Sequence, residues 1–206
     1  MKDSSPPLIC TFTVRLLEIE PAIWRRIEVP ERYSFWDLHV AIQDAMGWLD
    51  YHLHEFRLTD PRGGHLVRIG IPDEEDYEEP PLRADWKVPI TRYFKRPGQR
   101  ARHLYDFGDG WEHDVQLTAI AIAETAHQYP RCVDGERACP PEDCGGPGGY
   151  AELLRVLADS KHPDRKEMTV WLRNHARNYY PYRPDKFDPS AVEFTDPAER
   201  LRMMWQ

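Results

Sequence analysis

Nowhere in this chain of 206 residues does an apolar run approach the ~18 residues that a membrane-spanning helix needs. No basic-then-apolar leader opens it, and Met1 to Pro7 reads as a loose polar tail. These absences point to a cytoplasmic protein with no membrane partner. Cysteine is scarce: Cys10 stands alone, while Cys132, Cys139 and Cys144 fall close together. Without a secretion signal, a disulfide framework is not expected. Positive charge is in deficit, with 27 Lys and Arg against 35 Asp and Glu, for a net charge of −8. Nucleic-acid affinity rests largely on Lys and Arg, so this balance argues against a general phosphate-binding surface while leaving room for a local basic patch.

What is present suits a globular fold. Hydrophobic residues make up 41% of the chain and aromatics 12%, while 19 prolines imply long ordered loops between short elements. Neither an internal repeat nor a convincing linker is visible. The expected organisation is a flexible tail over residues 1–9 and a single α+β domain over 10–206.

Thr11 to Leu16 and Ile23 to Val29 alternate around Glu20-Pro21-Ala22, which reads as a hairpin. Ser34, with Asp37 three residues on, starts a helix whose apolar positions are Phe35, Leu38, Ile42 and Ala45 and whose natural stop is Gly47. A strand from His52 to Thr59 completes a ββαβ opening, a β-grasp-like start to a mixed or antiparallel sheet. Asp60 to Gly64 is a strong turn, followed by a short strand around Leu66 to Ile69. Residues 73–79 hold six acids in seven positions and read as a solvated loop. The basic run Arg92, Lys95, Arg96, Arg100 and Arg102 can attract that loop or touch phosphates, and the structural role is preferred. Towards the end, Gly145 to Gly149 lead into a helix with Tyr150, Leu153, Leu154 and Leu157 on its apolar stripe. A second helix is expected over Asp164 to His175, with Met168, Trp171 and Leu172 inward, and a short one over Pro197 to Trp205. The glycines lack the Lys-Ser/Thr of a P-loop, so nucleotide hydrolysis is not supported; a tight turn and packing suffice to explain them.

Chemistry is most concentrated in Tyr105 to Val115, where Asp106-Phe107-Gly108-Asp109-Gly110 forms a turn between two strands. On the second strand Trp111, His113, Val115 and Leu117 share the inward face, with Glu112 and Asp114 pointing away. By the same alternation His52 and His54 share a face with Phe56 and Leu58. If these strands are neighbours, His52, His54 and His113 converge with Asp106 or Asp109 on a divalent metal such as zinc, since imidazole and carboxylate suit zinc, manganese or iron. The plainer reading has each histidine bonded to a carbonyl or carboxylate at the edge of the core. A second metal candidate is the C-x6-C-x4-C set Cys132, Cys139 and Cys144, with His127 or His113 as a fourth ligand. Its spacing is off the usual C-x2–4-C pattern, and free cysteines are the preferred reading.

The chain resembles the plasmid pRiA4b open-reading-frame-three family. The residues that carry the resemblance are Val14 to Arg26, Trp36-Asp37-Leu38-His39, Met46-Gly47-Trp48, His52-Leu53-His54-Glu55-Phe56, Tyr105 to Asp114, and Gly135 to Pro147. It covers about residues 10–175; Asn174 to Arg183 looks like an insertion. Members are similar to open reading frames carried on plasmids and insertion elements, some labelled as a resolvase-type passenger protein. The resemblance implies a fold and a genetic setting more than a reaction. No early Ser-Arg grouping of a serine recombinase is present. His52-Leu53-His54 is the kind of string rolling-circle endonucleases use to hold a metal, with Tyr150 or Tyr179 as the nucleophile in that scheme.

The expectation is therefore an accessory or interaction protein from a mobile-element setting, non-enzymatic, with an unidentified protein partner and a metal as its candidate cofactor. The competing expectation is a metal-dependent nuclease or hydrolase built on His52, His54 and His113.

Overall fold

Two alternating segments open the fold. In the computed structural model, which describes residues 6–72 and 78–205, β1 (Leu8–Leu16) and β2 (Trp24–Pro30) pair antiparallel, with Phe12 opposite Ile27. Phe12, Val14, Leu16 and Ile27 are buried on one face, while Arg15 stays exposed. The first five residues of the polar tail, and residues 73–77 of the acidic run, lie outside the described residues.

Helix α1 (Phe35–Met46) begins where the sequence signals it. Asp37 N donates to Ser34 Oγ at 3.2 Å and Ser34 N donates to Asp37 Oδ2 at 2.8 Å, so two end amides that the helix itself cannot satisfy are paired. It ends at Gly47, whose φ of +89° takes the left-handed turn that terminates the helix. The apolar stripe packs onto the sheet, with Phe35 meeting Phe56 edge to face at 5.1 Å between ring centroids.

The remaining strands are β3 (His54–Thr59), β4 (Leu66–Gly70), β5 (Arg83–Ala84), β6 (Arg100–Tyr105), β7 (Trp111–Ile122) and β8 (Arg131–Glu136). They join β1 and β2 in one eight-stranded sheet of order β5-β4-β3-β6-β7-β1-β2-β8, antiparallel throughout except for the short β4–β5 pair. The α+β class and the ββαβ start are thus as the sequence suggests. Helices α2 (Gly146–Ala158), α3 (Arg165–Asn174) and α4 (Pro197–Met204) follow. Tyr150, Leu153 and Leu172 join the main core, with Met168 and Trp171 packed at its margin. Val156 is buried on α2, and the expected stripe residues Leu154 and Leu157 are only partly covered.

One boundary differs from the sequence pattern and bears on the site. The strand expected from His52 starts at His54, because the ladder with β6 ends at the pair His54–Tyr105. Asp106 turns away with a φ of +55°, and the chain before His54 is held by other bonds: Asp106 N donates to Leu53 O at 3.0 Å and Tyr51 N to the Tyr105 hydroxyl at 3.1 Å. His52 is therefore a loop residue and does not share the face of His54.

The charged runs find local partners. Glu78 pairs with Arg57 at 3.0 Å and with Arg68 at 2.8 Å, whereas Arg100 of the downstream basic run bonds Asp114 and Gln116 on the outer face of the sheet.

Candidate metal centre

Three loops meet at the end of β6. Asp106 begins the tight turn between β6 and β7, and its Oδ1 accepts hydrogen bonds from Gly108 N at 3.0 Å and Asp109 N at 3.2 Å. That leaves Oδ2 facing His52 Nε2 at 3.6 Å. From the loop before α2, Asp143 brings Oδ1 to 2.9 Å from the same nitrogen. Ligand atoms of His52, Asp106 and Asp143 all lie within 4.8 Å of one another, and they form the only such three-residue His/Cys/Asp/Glu group among the described residues. A tetrahedral zinc with bonds of about 2.0–2.1 Å places its ligand atoms roughly 3.3 Å apart, and the two distances from His52 Nε2, 3.6 and 2.9 Å, fall on either side of that value. His175 stands at the margin, with Nε2 at 3.8 Å from Asp143 Oδ2.

The site is anchored from beneath. Glu142 is buried, with Oε2 accepting from Leu49 N at 2.7 Å and Oε1 accepting from the Tyr105 hydroxyl. Its own N–H donates to the Tyr179 hydroxyl at 3.2 Å, and Trp48 Nε1 donates to Pro140 O at 3.0 Å. The loop carrying Asp143 is thus tied to the α1–β3 connection, to β6 and to the segment after α3. The outer side is open: the side chains of His52 and Asp143 are 32% and 51% exposed.

Of the residues singled out from the sequence, His52 and Asp106 come together and the others do not join them. Asp109 Oδ2 accepts from Gly145 N at 3.1 Å, which makes it the carboxylate seated on the glycine-rich start of α2. His54 is buried and bonds Asp85 Oδ2 at 2.7 Å. His113 is buried beside His103. All four cysteines are free, and neither Cys132, Cys139 and Cys144 nor any set including His127 or His113 forms a three-ligand group among the described residues. Burial pushes the Cys139 thiol upward, and burial with nearby Asp109 pushes Cys144 up to about 12, so both favour the protonated thiol.

His54 and His113 belong instead to a buried row of imidazoles that includes His39 and His103. Strand pairing explains half of it, because His103 lies directly opposite His113 on one side and Phe56 on the other. Burial pushes His103 well below the ordinary histidine range, helped by His113, and pushes His113 down to about 4, so both rings are neutral. Their tautomers then follow from the partners. His113 Nδ1 is 3.2 Å from the His103 carbonyl, which only accepts, so Nδ1 carries the hydrogen. The same Nδ1 is 3.2 Å from His103 Nδ1, which must then accept, leaving His103 Nε2–H to donate to His39 Nδ1 at 3.0 Å. His39 Nε2 in turn donates to Asp50 Oδ1 at 2.8 Å. Burial works to raise the Asp50 carboxyl, but His39, His54 and Arg200 outweigh it and hold the group low. The row is therefore polarised from end to end, and it closes on His113 Nε2, which is buried with no hydrogen-bond partner among the described residues.

Asp143, His175, His39 and His103 were not among the candidate ligands read from the sequence, although His39 and Asp143 lie in segments that carry the family resemblance. His39 was detectable at helical spacing between Phe35 and Ile42, and His103 alternates with the buried Ala101 and Tyr105. Asp143 had no local signal beyond lying in an ordered, proline-flanked loop.

Residues 9–193 match the plasmid pRiA4b ORF-3-like protein family. The chain belongs to this family. The matched span runs past residue 183 and ends at residue 193. Among relatives of the family, the protein described as "Uncharacterized protein y4hQ" from Sinorhizobium fredii (strain NBRC 101917 / NGR234) is 38% identical over 164 residues, covering 79% of this chain and 80% of the relative. The crystal structure of "Protein of Unknown Function MM3350" from Methanosarcina mazei Go1 is similar over 92% of this chain and 100% of that one, with 40% identity and a TM-score of 0.80. Among the described residues, no helix is long and apolar enough to cross a membrane.

Proposed function

We propose that this member of the pRiA4b ORF-3-like family is a cytoplasmic, non-enzymatic accessory protein of mobile elements that binds one divalent cation through His52, Asp106 and Asp143 and acts through a protein partner. The observation that supports it is the meeting of one imidazole and two carboxylates from three separate loops, with the second oxygen of Asp106 fixed by two backbone amides. Carboxylates that close together repel unless a cation lies between them. A mixed nitrogen and oxygen set of this kind suits zinc or manganese better than calcium. Bound there, the ion cross-links the α1–β3 connection, the β6–β7 turn and the loop before α2. The mobile-element setting comes from the family resemblance alone. Net negative charge favours a protein partner over nucleic acid.

Metal analysis of protein purified without a histidine tag tests this reading. One equivalent of a divalent transition metal, lost in His52→Ala, is the expected result; metal-free protein that takes up no zinc on dialysis overturns it.

A second reading is favoured by the open side of the site. Three protein ligands with a solvent-facing fourth position are the pattern of hydrolytic zinc centres, where the ion supplies a hydroxide at neutral pH. This metal-dependent nuclease or hydrolase reading rests on His52, Asp106 and Asp143, since His54 and His113 have other partners. Metal-dependent cleavage of a phosphodiester such as bis-p-nitrophenyl phosphate, abolished in Asp106→Ala, would displace the non-enzymatic reading.

A further inference from the structure

A cavity of about 650 Å³ lies between the end of α1 and the long segment that runs from α3 to α4. That segment is irregular apart from one short 3-10 turn, yet it is placed against the body of the protein. Ordered loops of this length are uncommon unless they serve a function. The cavity wall carries five cations, Arg25, Arg177, Arg183, Lys186 and Arg200, against the three acids Asp44, Asp188 and Glu193. In a chain of net charge −8 this is a reversal of sign.

Most of these cations have no acidic partner. Arg200 is held by Asp44 and Asp50. Among the described residues, Arg25, Arg177, Arg183 and Lys186 make no ion pair with any carboxylate. Arg25 is the decisive member, because it is 1% exposed and a buried guanidinium is costly without an anion. Its Nε donates to Ala45 O at 2.9 Å, and its Nη1 donates to Trp24 O at 2.8 Å and Glu136 O at 2.9 Å. The two hydrogens of Nη2 donate to no protein atom among the described residues. Phe187 covers the flat face of the guanidinium at 3.6 Å, so the side chain is fixed and polar contacts are left to its edge. Trp48, Tyr179 and Phe187 supply aromatic wall around the same space.

We infer that this cavity is a binding site for a small organic anion, a flat ring carrying a phosphate or carboxylate, with Arg25 at the base and Arg177 and Lys186 at the mouth. The volume is in the usual range for small-molecule sites, and the combination of apolar wall with a few placed cations is what such ligands require. The site stands apart from the candidate metal centre: none of His52, Asp106 and Asp143 lines it.

Calorimetric titration in EDTA, so that no metal bridges the anion, tests the assignment with AMP and salicylate as probes. Adenosine and inorganic phosphate report ring and charge separately. At least one of the two aromatic anions should bind, more tightly than either control, and Arg177→Gln with Lys186→Gln should weaken it about tenfold or more. Both residues are exposed and unpaired, so the double variant should keep its fold, which circular dichroism checks. Lys95→Gln with Arg96→Gln removes the same charge elsewhere and should leave binding unchanged. Failure of both anions to bind at millimolar concentration overturns the proposal, as does equal loss in the two double variants. Adenosine or inorganic phosphate binding as tightly as the tighter of AMP and salicylate overturns the ligand class.

Discussion

His39 and His54 lie face to face, with ring centroids 3.4 Å apart and planes within 8° of parallel. One comes from α1 and the other from β3, and each is held edge-on by its own carboxylate, Asp50 for His39 and Asp85 for His54. Stacking of this kind survives in an interior only while the rings do not both carry charge. The helix and the sheet are therefore joined at this point by stacked imidazoles.

Acid should loosen that joint. The group invoked is the His103–His113 pair, faced by His39 from α1 and His54 from β3, which themselves bond Asp50 and Asp85. His113 is held near 4 and His103 well below its ordinary value, so between about pH 6.5 and 4 the unfolded chain binds more protons than the folded one. Stability then rises with pH across that window and is lost as pH falls through it. His113 alone accounts for roughly 3 kcal/mol. Urea unfolding at pH 7.5, 6 and 4.5 should show midpoints falling in that order; a flat profile contradicts the neutral assignment.

Asp50 orients the row, and its removal should cost far more than that of a surface acid. Asp50 accepts from His39 and pairs with Arg200 at 3.1 Å, with its side chain 8% exposed. Asp50→Ala should destabilise by about 3 kcal/mol. Glu20→Ala, which breaks the exposed pair with Arg15, should cost less than about 0.5 kcal/mol. Paired denaturant titrations decide whether the gap exists.

Metal affinity should separate two neighbouring aspartates. Asp143 points one oxygen at His52, whereas Asp109 is committed to Gly145 N. Asp143→Ala should therefore lower zinc affinity about tenfold or more, and Asp109→Ala by no more than about threefold, in competition with a chromogenic chelator. The reverse order would move the centre to the β6–β7 turn itself.

Two glycines two positions apart should respond in opposite directions. Gly146 has a φ of +66°, and a Cβ there would lie 2.2 Å from Asp109 O, so Gly146→Ala should destabilise by more than about 2 kcal/mol. Gly148 sits in α2 with nothing within 4 Å of the added atom, so Gly148→Ala should stabilise by up to about 1 kcal/mol. Thermal unfolding of the two variants reads both signs.

Thiol reactivity should follow burial. Cys10 and Cys139 are buried, and burial pushes Cys10 up to about 11, while Cys132 is half-buried at the surface of β8. Rapid thiol titration of native protein should modify Cys132 first, with Cys10 and Cys139 reacting only after unfolding. A native protein whose cysteines all react at once would show that the Cys139 loop opens readily.

Local pattern alone determined the elements of this protein: the capping box at Ser34 and Asp37, the stop at Gly47, the alternation of Trp111, His113, Val115 and Leu117, and the turn at Asp106. Each depends on residues within one turn or one strand of each other, which is the range over which sequence constrains backbone geometry. The strands of His54 and His113 are not neighbours, because β6 runs between them and sets His103 against His113. His52 left that group because the β3 ladder ends two residues short of it, at His54, a matter of where Asp106 turns in another strand. Asp143, Asp50 and Asp85 reach their histidines across separations of 91, 11 and 31 residues. No periodicity encodes such pairings. Only the tertiary fold decides which carboxylate meets which imidazole, and with it the difference between a buried polar row and an open site for a cation.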